Sequence, residues 1–290
     1  MIPANFNVHI PSSVTETINL LSKFGPDAKI LAGGQSLIPM MKLRLVQTAE
    51  IIDLSNITEL IEFKKSQNSI TLGAMTTYHD LITNDELKLM HPMIVESASV
   101  VADIQVRNRG TIGGSLAHAD PAADLPAAMI ASNAVFNIAS PNGNKQIKAE
   151  DFFVDIFTTL LEENEILTSI EIPNNSSGDS SSETYKKFAN KASHFAIVGV
   201  AARVNVTNKV CSDVSIAITG AGAKPVKAKK SENILKGTKI KDSDIATAAS
   251  ESIHGLDFLD DIHASSAYRE HLTKTFVSRA LSEISARISI

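Results

Sequence analysis

Two segments with paired glycines are the most informative feature of the chain: Thr111-Ile112-Gly113-Gly114-Ser115 and, earlier, Ala32-Gly33-Gly34-Gln35-Ser36. Each lies at or just beyond the end of an apolar, strand-like stretch and leads into an apolar segment of helical or turn character. Paired glycines lack Cβ atoms, so the backbone can turn sharply and point successive N–H groups at one oxyanion. One such loop is suited to a phosphate, and two are suited to the two sides of a pyrophosphate. The residues alone leave a second interpretation open, in which both segments are ordinary turns.

Three common motifs fail at these segments and at one further glycine cluster. No Gly-Lys-Ser/Thr follows either glycine pair, which excludes a Walker A phosphate loop. Gly220-Ala221-Gly222 follows a predicted strand, but Pro225 stands where a dinucleotide-binding motif has its third glycine, and proline would block the helix. A nucleophile elbow at Ser115 needs glycine at the position of Ala117. We therefore expect no Rossmann site and no serine hydrolase.

Composition restricts the class of protein further. The chain has 290 residues, of which 43% are hydrophobic and 20% are charged, as in ordinary globular proteins with a substantial core. A net charge of −5 lacks the basic footprint that nucleic-acid binding requires. No stretch approaches the roughly 20 apolar residues of a membrane span, and the first residues lack the features of a signal peptide. We expect a cytoplasmic protein with no nucleic-acid partner.

The single cysteine, Cys211, excludes a disulfide framework. It also excludes a cysteine-ligated iron–sulfur cluster within this chain, because such a cluster needs about four thiolates. Apolar neighbours predict that Cys211 is a small buried side chain. Any metal centres used with this chain are therefore expected in other chains.

Periodicity and turn signals predict an α+β fold of three units. The expected units are a small α/β unit over residues 1–56, a larger α+β unit over 57–175, and an α+β C-terminal domain with a small antiparallel sheet and helices over 183–290. The predicted helices are 14–21, 77–83, 93–102, 122–131, about 242–254 and 267–285. The predicted strands are 29–31, 50–54, 60–64, 69–73, 103–106, 134–138, 145–148, 166–173, 196–206 and 210–219, with a linker at 174–183. A ligand that touches both glycine segments would lie between the first two units.

Side chains near the second glycine segment have structural interpretations. Asp120, followed by Pro121, is predicted to cap the next helix rather than to join His118 as a metal ligand. Arg107 and Arg109 either offset phosphate charge or brace the loop. We expect no catalytic side chain and no metal ligand in this chain.

The chain resembles the flavoprotein subunit of the molybdenum hydroxylases. The two segments, extended to 32–44 and 107–126, are similar to the two FAD-binding motifs of the medium subunit of aerobic carbon monoxide dehydrogenase-type enzymes, a relative of the central domain of xanthine dehydrogenase. The resemblance continues through 166–173 and through Gly220-Ala221-Gly222 and Tyr268-Arg269, and so spans essentially the whole chain.

The resemblance implies a non-covalently bound FAD in the cleft between the first two units. The implied contacts to the pyrophosphate and its surroundings come from Ala32, Gly33, Gly34, Gln35, Ser36, Leu37, Thr111, Ile112, Gly113, Gly114, Ser115 and Ala119. Asp124 would anchor the ribityl region, Leu167 would lie at the isoalloxazine, and Lys186 would meet the polar edge of the flavin.

The resemblance also implies a role within a complex. A large molybdopterin subunit would oxidise the substrate, a small subunit with [2Fe–2S] clusters would relay electrons, and the FAD of this subunit would pass them to an external acceptor. A dimer of heterotrimers is expected, with the molybdenum cofactor and the clusters in the partner subunits only.

Three positions depart from the pattern of the family. Gln35 stands where His is frequent, and Ser115 replaces a frequent Asn. His194 stands in place of an acidic residue before Phe195 and Ala196. Two other interpretations therefore stay open, a self-sufficient flavin oxidase or dehydrogenase and an assembly subunit that binds FAD weakly.

Overall fold

The first unit is a small parallel sheet with one long helix. The computed structural model describes residues 2–174 and 178–288. The elements of this unit are β1 (Asn7–His9), α1 (Val14–Phe24), β2 (Ala28–Leu31), α2 (Leu37–Lys42) and β3 (Glu50–Asp53). The strands lie in the order β1-β3-β2, and both pairs are parallel. Helix α1 begins after Ser13, whose hydroxyl accepts a hydrogen bond from Glu16 N at 3.2 Å, as expected of an N-cap.

The second unit is built on a five-stranded antiparallel sheet in the order β4-β5-β10-β6-β7. Its strands are β4 (Phe63–Lys65), β5 (Ser69–Gly73), β6 (Val135–Ser140), β7 (Gly143–Lys148), β8 (Phe153–Asp155), β9 (Thr158–Thr159) and β10 (Ile166–Pro173). Its helices are α3 (Tyr78–Thr83), α4 (Asp85–Met90), α5 (Pro92–Ser99), α6 (Ile104–Arg107), α7 (Ile112–His118), α8 (Leu125–Ala131) and α9 (Ala149–Phe152). Helix α8 is buried along its whole length, and the rings of Phe136, Phe152 and Phe153 pack edge to face beside it in the same core.

The C-terminal unit is a four-stranded antiparallel sheet covered by helices. Its elements are β11 (Ser180–Ala189), β12 (Ala196–Thr207), β13 (Val210–Thr219), β14 (Val226–Lys227), α10 (Lys229–Leu235), α11 (Asp242–Glu251) and α12 (Ser266–Arg287). The strands lie in their sequence order, and α12 packs on β11 and β12. Cys211 is 1% exposed in the core of this unit, as predicted.

Carboxylates of both units join the C-terminal sheet to the second unit. Glu183 of β11 accepts a hydrogen bond from Met93 N of α5 at 3.1 Å. In the opposite direction, Glu96 of α5 accepts from Tyr185 N at 2.7 Å and from the hydroxyl of Thr184 at 2.8 Å. Hydrogen bonds to charged groups are stronger than neutral ones, so these contacts fix the position of β11 against the second unit.

The α+β class and its sequence of three units are confirmed, while several local predictions are wrong. Residues 104–107 form helix α6 instead of a strand, because Asp103 caps them by accepting from Val106 N at 2.9 Å. Helix α8 begins at Leu125 rather than at Ala122, and Asp120 accepts from Ala122 N in the preceding turn. The predicted linker lies partly outside the described residues, and its end belongs to β11, a strand that periodicity missed.

Two shorter elements were also missed or misplaced. Residues 58–61 form a turn of 3₁₀ helix in place of the start of a strand, and helix α10 was not among the predicted helices. Within residues 2–174 and 178–288, no helix combines the length and the hydropathy of a bilayer-spanning segment.

Removal of the ring of Phe136 is expected to destabilise the chain. Phe136 is fully buried, so Phe136→Ala leaves a cavity and should lower the free energy of unfolding by about 3–5 kcal/mol. Leu89→Ala is the control, because Leu89 is 84% exposed and its loss should change stability by less than about 0.5 kcal/mol. Urea unfolding followed by far-UV circular dichroism measures both, and equal effects would contradict the assignment of this core.

His91 is expected to make the fold sensitive to acid. The side chain is fully buried, and burial together with the charge of Arg203 lowers its pKa to about 4, against about 6.5 in an unfolded chain. The unfolded state therefore binds more protons than the folded state between pH 6.5 and 4. The contribution of His91 to the free energy of unfolding is complete above pH 6.5 and is lost as the pH falls towards 4. His91→Leu should lose less stability than the wild type between pH 7 and 4.5, whereas His79→Leu, at an exposed position, should match the wild type.

Candidate functional site

The two glycine segments lie directly against each other. A Cβ atom on Gly33 would lie 2.1 Å from the carbonyl oxygen of Arg109 and 2.8 Å from Cα of Gly110. A Cβ atom on Gly114 would lie 3.6 Å from Cβ of Ala32, an ordinary van der Waals contact. Position 33 therefore requires glycine for a reason of space, and the contact brings the first two units together at these segments.

The first segment presents backbone donors. It leaves the end of β2 and enters α2, and Gly34 has a φ of +74°, a conformation that favours glycine. Among the described residues, no hydrogen-bond acceptor lies opposite the N–H groups of residues 33–36. Gln35 and Ser36 are exposed. Four successive N–H groups without an internal acceptor match what an anion such as a phosphate requires.

The second segment is a rigid helix start rather than an open loop. The hydroxyl of Thr111 caps α7 by accepting from Gly114 N at 3.1 Å. Gly113 N donates to the carbonyl of Ala74 at 2.8 Å, and Ser115 N donates to the carbonyl of Thr111 at 3.1 Å. The expectation that both segments offer backbone N–H groups is therefore wrong at these three positions. The glycines of this segment serve close packing, since a Cβ on Gly113 would lie 2.5 Å from Cβ of Ala74.

Strand β10 reaches the second segment through Ala74. Ala74 N donates to the carbonyl of Thr168 at 2.9 Å, and the pairing of β10 with β6 is irregular between Leu167 and Ser169. Leu167 is 4% exposed in the core of the second unit. Leu167 is thus brought to the same region as the glycine segments by two successive backbone contacts.

Strands of the C-terminal unit hold the turn that follows α7. The carbonyl of Pro121 accepts from Gly220 N at 2.8 Å, and the carbonyl of Ala122 accepts from Ala196 N at 3.2 Å. The hydroxyl of Thr219 lies 3.0 Å from the carbonyl of Pro121 and 2.8 Å from the carbonyl of Ala123. The carbonyls of Pro121, Ala122 and Ala123 are therefore held by the ends of β12 and β13 in the C-terminal unit.

The turn opens with an unusual backbone conformation. Ala119 ends α7 with a φ of +51° and is 4% exposed. Its carbonyl accepts from Phe157 N at 3.1 Å, and the ring of Phe157 lies 4.9 Å from that of His118. The connection between β8 and β9 therefore packs on the end of α7.

Asp124 closes the turn with a buried ionic contact. Its carboxylate is 4% exposed, accepts from the hydroxyl of Tyr185 at 2.6 Å and lies 2.8 Å from Nζ of Lys187. Burial raises the pKa of this carboxyl to about 6, and the charge of Lys187 and the two hydrogen bonds oppose the rise. Burial, with a contribution from Asp124, raises the pKa of the Tyr78 phenol to about 12, while Ser115 opposes that rise. The two hydrogen bonds connect Asp124 to the C-terminal sheet, and its charge also acts on Tyr78, which interacts with Ser115 of the second glycine segment.

Lys186 does not join this group of residues. Its Nζ lies 2.5 Å from a carboxylate oxygen of Glu283 on α12. Successive side chains of a strand point to opposite faces, so Tyr185 and Lys187 share the face towards Asp124 and Lys186 takes the other. Sequence reasoning missed Lys187 because it did not predict β11, and the alternation along that strand is the signal that identifies it.

The remaining charged candidates have structural contacts or lie at the surface. The guanidinium of Arg107 donates to the carbonyls of Val101 and Ala102 at 2.8 and 3.0 Å, and so braces the chain before α6. Arg109 is exposed beside the glycine contact, and His194 lies in an exposed turn with a φ of +61°. Over the described ranges, no three His, Cys, Asp or Glu side chains are grouped as metal ligands.

Family models match almost the whole chain. Residues 4–175 match the FAD binding domain in molybdopterin dehydrogenase, and residues 183–284 match the CO dehydrogenase flavoprotein C-terminal domain. The resemblance stated on the glycine motifs is thereby confirmed.

Medium chains of several dehydrogenases are similar to this chain over nearly all of their length. The carbon monoxide dehydrogenase medium chain of Hydrogenophaga pseudoflava is 36% identical over 99% of both chains. The glyceraldehyde dehydrogenase medium chain of Sulfolobus acidocaldarius is 34% identical over 98% of this chain and 100% of the relative. One solved structure is of carbon monoxide dehydrogenase from Hydrogenophaga pseudoflava, in a form that lacks the Mo-pyranopterin moiety of the molybdenum cofactor. A chain of that structure superposes on this one with a TM-score of 0.96 at 37% identity, and the match covers 100% of both chains. The chain therefore belongs to the family of FAD-binding medium subunits of molybdenum-containing dehydrogenases, of the carbon monoxide dehydrogenase and xanthine dehydrogenase type.

Proposed function

We propose that this subunit holds a non-covalent FAD, receives electrons from [2Fe–2S] clusters of a partner subunit and passes them to an external acceptor. The observation that carries the proposal is the row of N–H groups at residues 33–36, which lack an internal acceptor and lie against the second glycine segment. In a chain of this family, that row is suited to the pyrophosphate of FAD. When bound, FAD supplies the redox chemistry, and the protein supplies its binding, orientation and electrostatics.

The proposed FAD site follows the cleft between the first two units. Backbone groups of Ala32, Gly33, Gly34, Gln35, Ser36 and Leu37 are proposed to bind the pyrophosphate. Thr111, Ile112, Gly113, Gly114, Ser115 and Ala119 would form the opposite wall. In this role the second segment acts mainly through its shape and the side chain of Ser115, because its glycine N–H groups already have acceptors.

The remaining proposed contacts lie beyond the pyrophosphate. Asp124 is proposed to face the ribityl region, and Leu167 to border the isoalloxazine. The pairing of Lys186 with Glu283 leaves Lys187 as the lysine nearest to Asp124. Lys186 itself is proposed to meet the polar edge of the flavin, where positive charge favours the reduced, anionic form.

The partner subunits would carry out the chemistry on the substrate. We propose a small [2Fe–2S] subunit and a large molybdopterin subunit, assembled in the cytoplasm as a dimer of heterotrimers. Medium chains with nearly equal similarity to this one, at 36% and 34% identity, are named for carbon monoxide and glyceraldehyde. This supports the proposal that the substrate is selected in another chain. We also propose unit boundaries at 1–56, 57–175 and 183–290.

Isolation of the chain tests FAD binding directly. The purified protein should be yellow or should take up added FAD in a one-to-one ratio, and denaturation should release a flavin that chromatography identifies as FAD. Without partner subunits it should not oxidise any organic substrate. A colourless protein that also fails to take up FAD would contradict the proposal. Oxidation of a substrate by the chain alone would favour a self-sufficient oxidase.

Gly33→Ala is expected to weaken FAD binding strongly. A methyl group at this position would collide with the carbonyl of Arg109, so the two glycine segments must move apart and the row of N–H groups shifts. A misplacement of about 1 Å can cost about 100-fold in function at a positioned site, and we expect a loss of FAD affinity of that order. Flavin fluorescence titration measures the change.

Gly255→Ala provides the matched control for this variant. Gly255 has a φ of +82° with open space around its missing Cβ, so alanine there introduces only backbone strain. The control should lose some thermal stability and retain the wild-type affinity for FAD. Equal FAD affinities of the Gly33 and Gly255 variants would argue against the contact between the glycine segments as part of the site.

A further inference from the structure

Three ionisable side chains from two units meet in the interior near the glycine segments. Asp124 lies at the start of α8, and Tyr185 and Lys187 lie on β11 of the C-terminal unit. The side chains of Lys187 and Asp124 are each 5% exposed, and Tyr185 is 5% exposed as a residue. Each carboxylate oxygen of Asp124 has its own donor, the tyrosine hydroxyl on Oδ1 and the lysine Nζ on Oδ2. We call this group the Asp124 cluster.

Lys187 is held in place from both sides. Besides its contact with Asp124, Nζ donates to the carbonyl of Val100 at 3.0 Å, just after α5. The backbone of Tyr185 is fixed in turn, since its N–H donates to Glu96 of α5. The two donors to Asp124 therefore have little freedom to follow the carboxylate if it moves.

The charges that face Asp124 come from every element packed on it. Lys187 and Tyr185 face it from β11, Asp120 from the preceding turn and Tyr78 from α3. Asp120 has the same charge as Asp124 and disfavours its ionisation. Tyr78 and Tyr185 stay neutral near pH 7, because burial raises the pKa of both phenols. Lys187 is thus the cation in this set of neighbours that favours the ionised form of Asp124.

Burial disfavours the ionised form of Asp124. A carboxylate removed from water is disfavoured unless it is paired and hydrogen-bonded. Both compensating groups belong to the C-terminal unit, whereas the carboxylate belongs to the unit with the second glycine segment. The ionisation of Asp124 is therefore controlled by the C-terminal unit, which carries neither glycine segment.

We propose that Lys187 and Tyr185 are positioning residues that keep Asp124 an ionised, fixed acceptor at the FAD site, so that the C-terminal unit sets the pH range over which the chain holds FAD. The inference rests on the proposed function, in which Asp124 faces the ribityl region. The ribityl hydroxyls are donors, and an ionised carboxylate accepts from them more strongly than a protonated one. Protonation of Asp124 thus weakens FAD binding.

The test is the FAD affinity of the 290-residue chain as a function of pH from 5 to 9, measured by quenching of flavin fluorescence. In the wild type the affinity should fall as the pH drops through about 6, the pKa to which burial raises Asp124 against the opposing effect of Lys187. Lys187→Met removes the opposite charge, so the midpoint of this fall should move up by roughly 1–3 pH units. At pH 9 the FAD affinity of Lys187→Met should lie closer to the wild-type affinity than it does at pH 7. Lys187→Arg keeps the charge and should return the midpoint towards that of the wild type.

Two further variants keep the test decisive. Tyr185→Phe removes one donor to Asp124 without removing a charge, so its midpoint should move in the same direction by a smaller amount; it replaces Lys187→Met if that variant does not fold. Lys227→Met is the matched control, since Lys227 is a largely buried lysine of the C-terminal unit that lies 3.7 Å from Glu150 of the second unit. Its midpoint should match that of the wild type.

The outcomes separate this inference from the function on which it rests. Absence of FAD binding by the wild type at every pH would overturn the proposed function itself. Wild-type binding with an unmoved midpoint in folded Lys187→Met would overturn the inference and leave the function standing. An equal loss of affinity at all pH values would also overturn it, because that result indicates a merely structural role for Lys187.

Discussion

The fold around the site depends on one contact, the carbonyl oxygen of Arg109 against the bare Cα of Gly33. The contact joins the first two units where their glycine segments meet, and it leaves no room for any side chain at position 33. The two segments differ in their bonding although their sequences are similar. One is anchored by the capping hydroxyl of Thr111 and by Ala74, and it forms a rigid wall. The other packs on that wall and keeps its N–H groups available.

The C-terminal unit has a larger part in the site than its position in the sequence suggests. The carbonyls between α7 and α8 accept from β12 and β13, and the charge of Asp124 is balanced by β11. The same strand is tied to α5 by reciprocal carboxylate contacts through Glu96 and Glu183. The site is therefore a joint product of three units, although both glycine segments belong to the first two.

Local patterns in the sequence were sufficient for the parts of the fold that depend on neighbours along the chain. Helix α1 with its Ser13 cap and strands β6, β7 and β10 all follow from short-range chemistry. The failures have different causes. Strand β11 is polar in sequence because two carboxylate contacts and one buried ion pair satisfy it, and these partners come from other units. Helix α6 has an apolar sequence typical of a strand, but a single cap at Asp103 decides its conformation. The contact of Lys187 with Asp124 was not predicted, because the faces of a strand cannot be assigned before the strand itself is predicted.

The bonds between the turn at 119–124 and the C-terminal sheet have a consequence for the order of events during synthesis. The donors to this turn include Ala196, Thr219 and Gly220, which leave the ribosome about 75 to 100 residues after the carbonyls that need them. Until they arrive, the carbonyls of this turn and the carboxylate of Asp124 lack the partners that they have in the finished fold. Because domains generally fold in order as they are synthesised, the proposed FAD site is completed only after most of the C-terminal sheet has formed. In the proposed site, FAD would therefore be loaded only after most of the chain has been made.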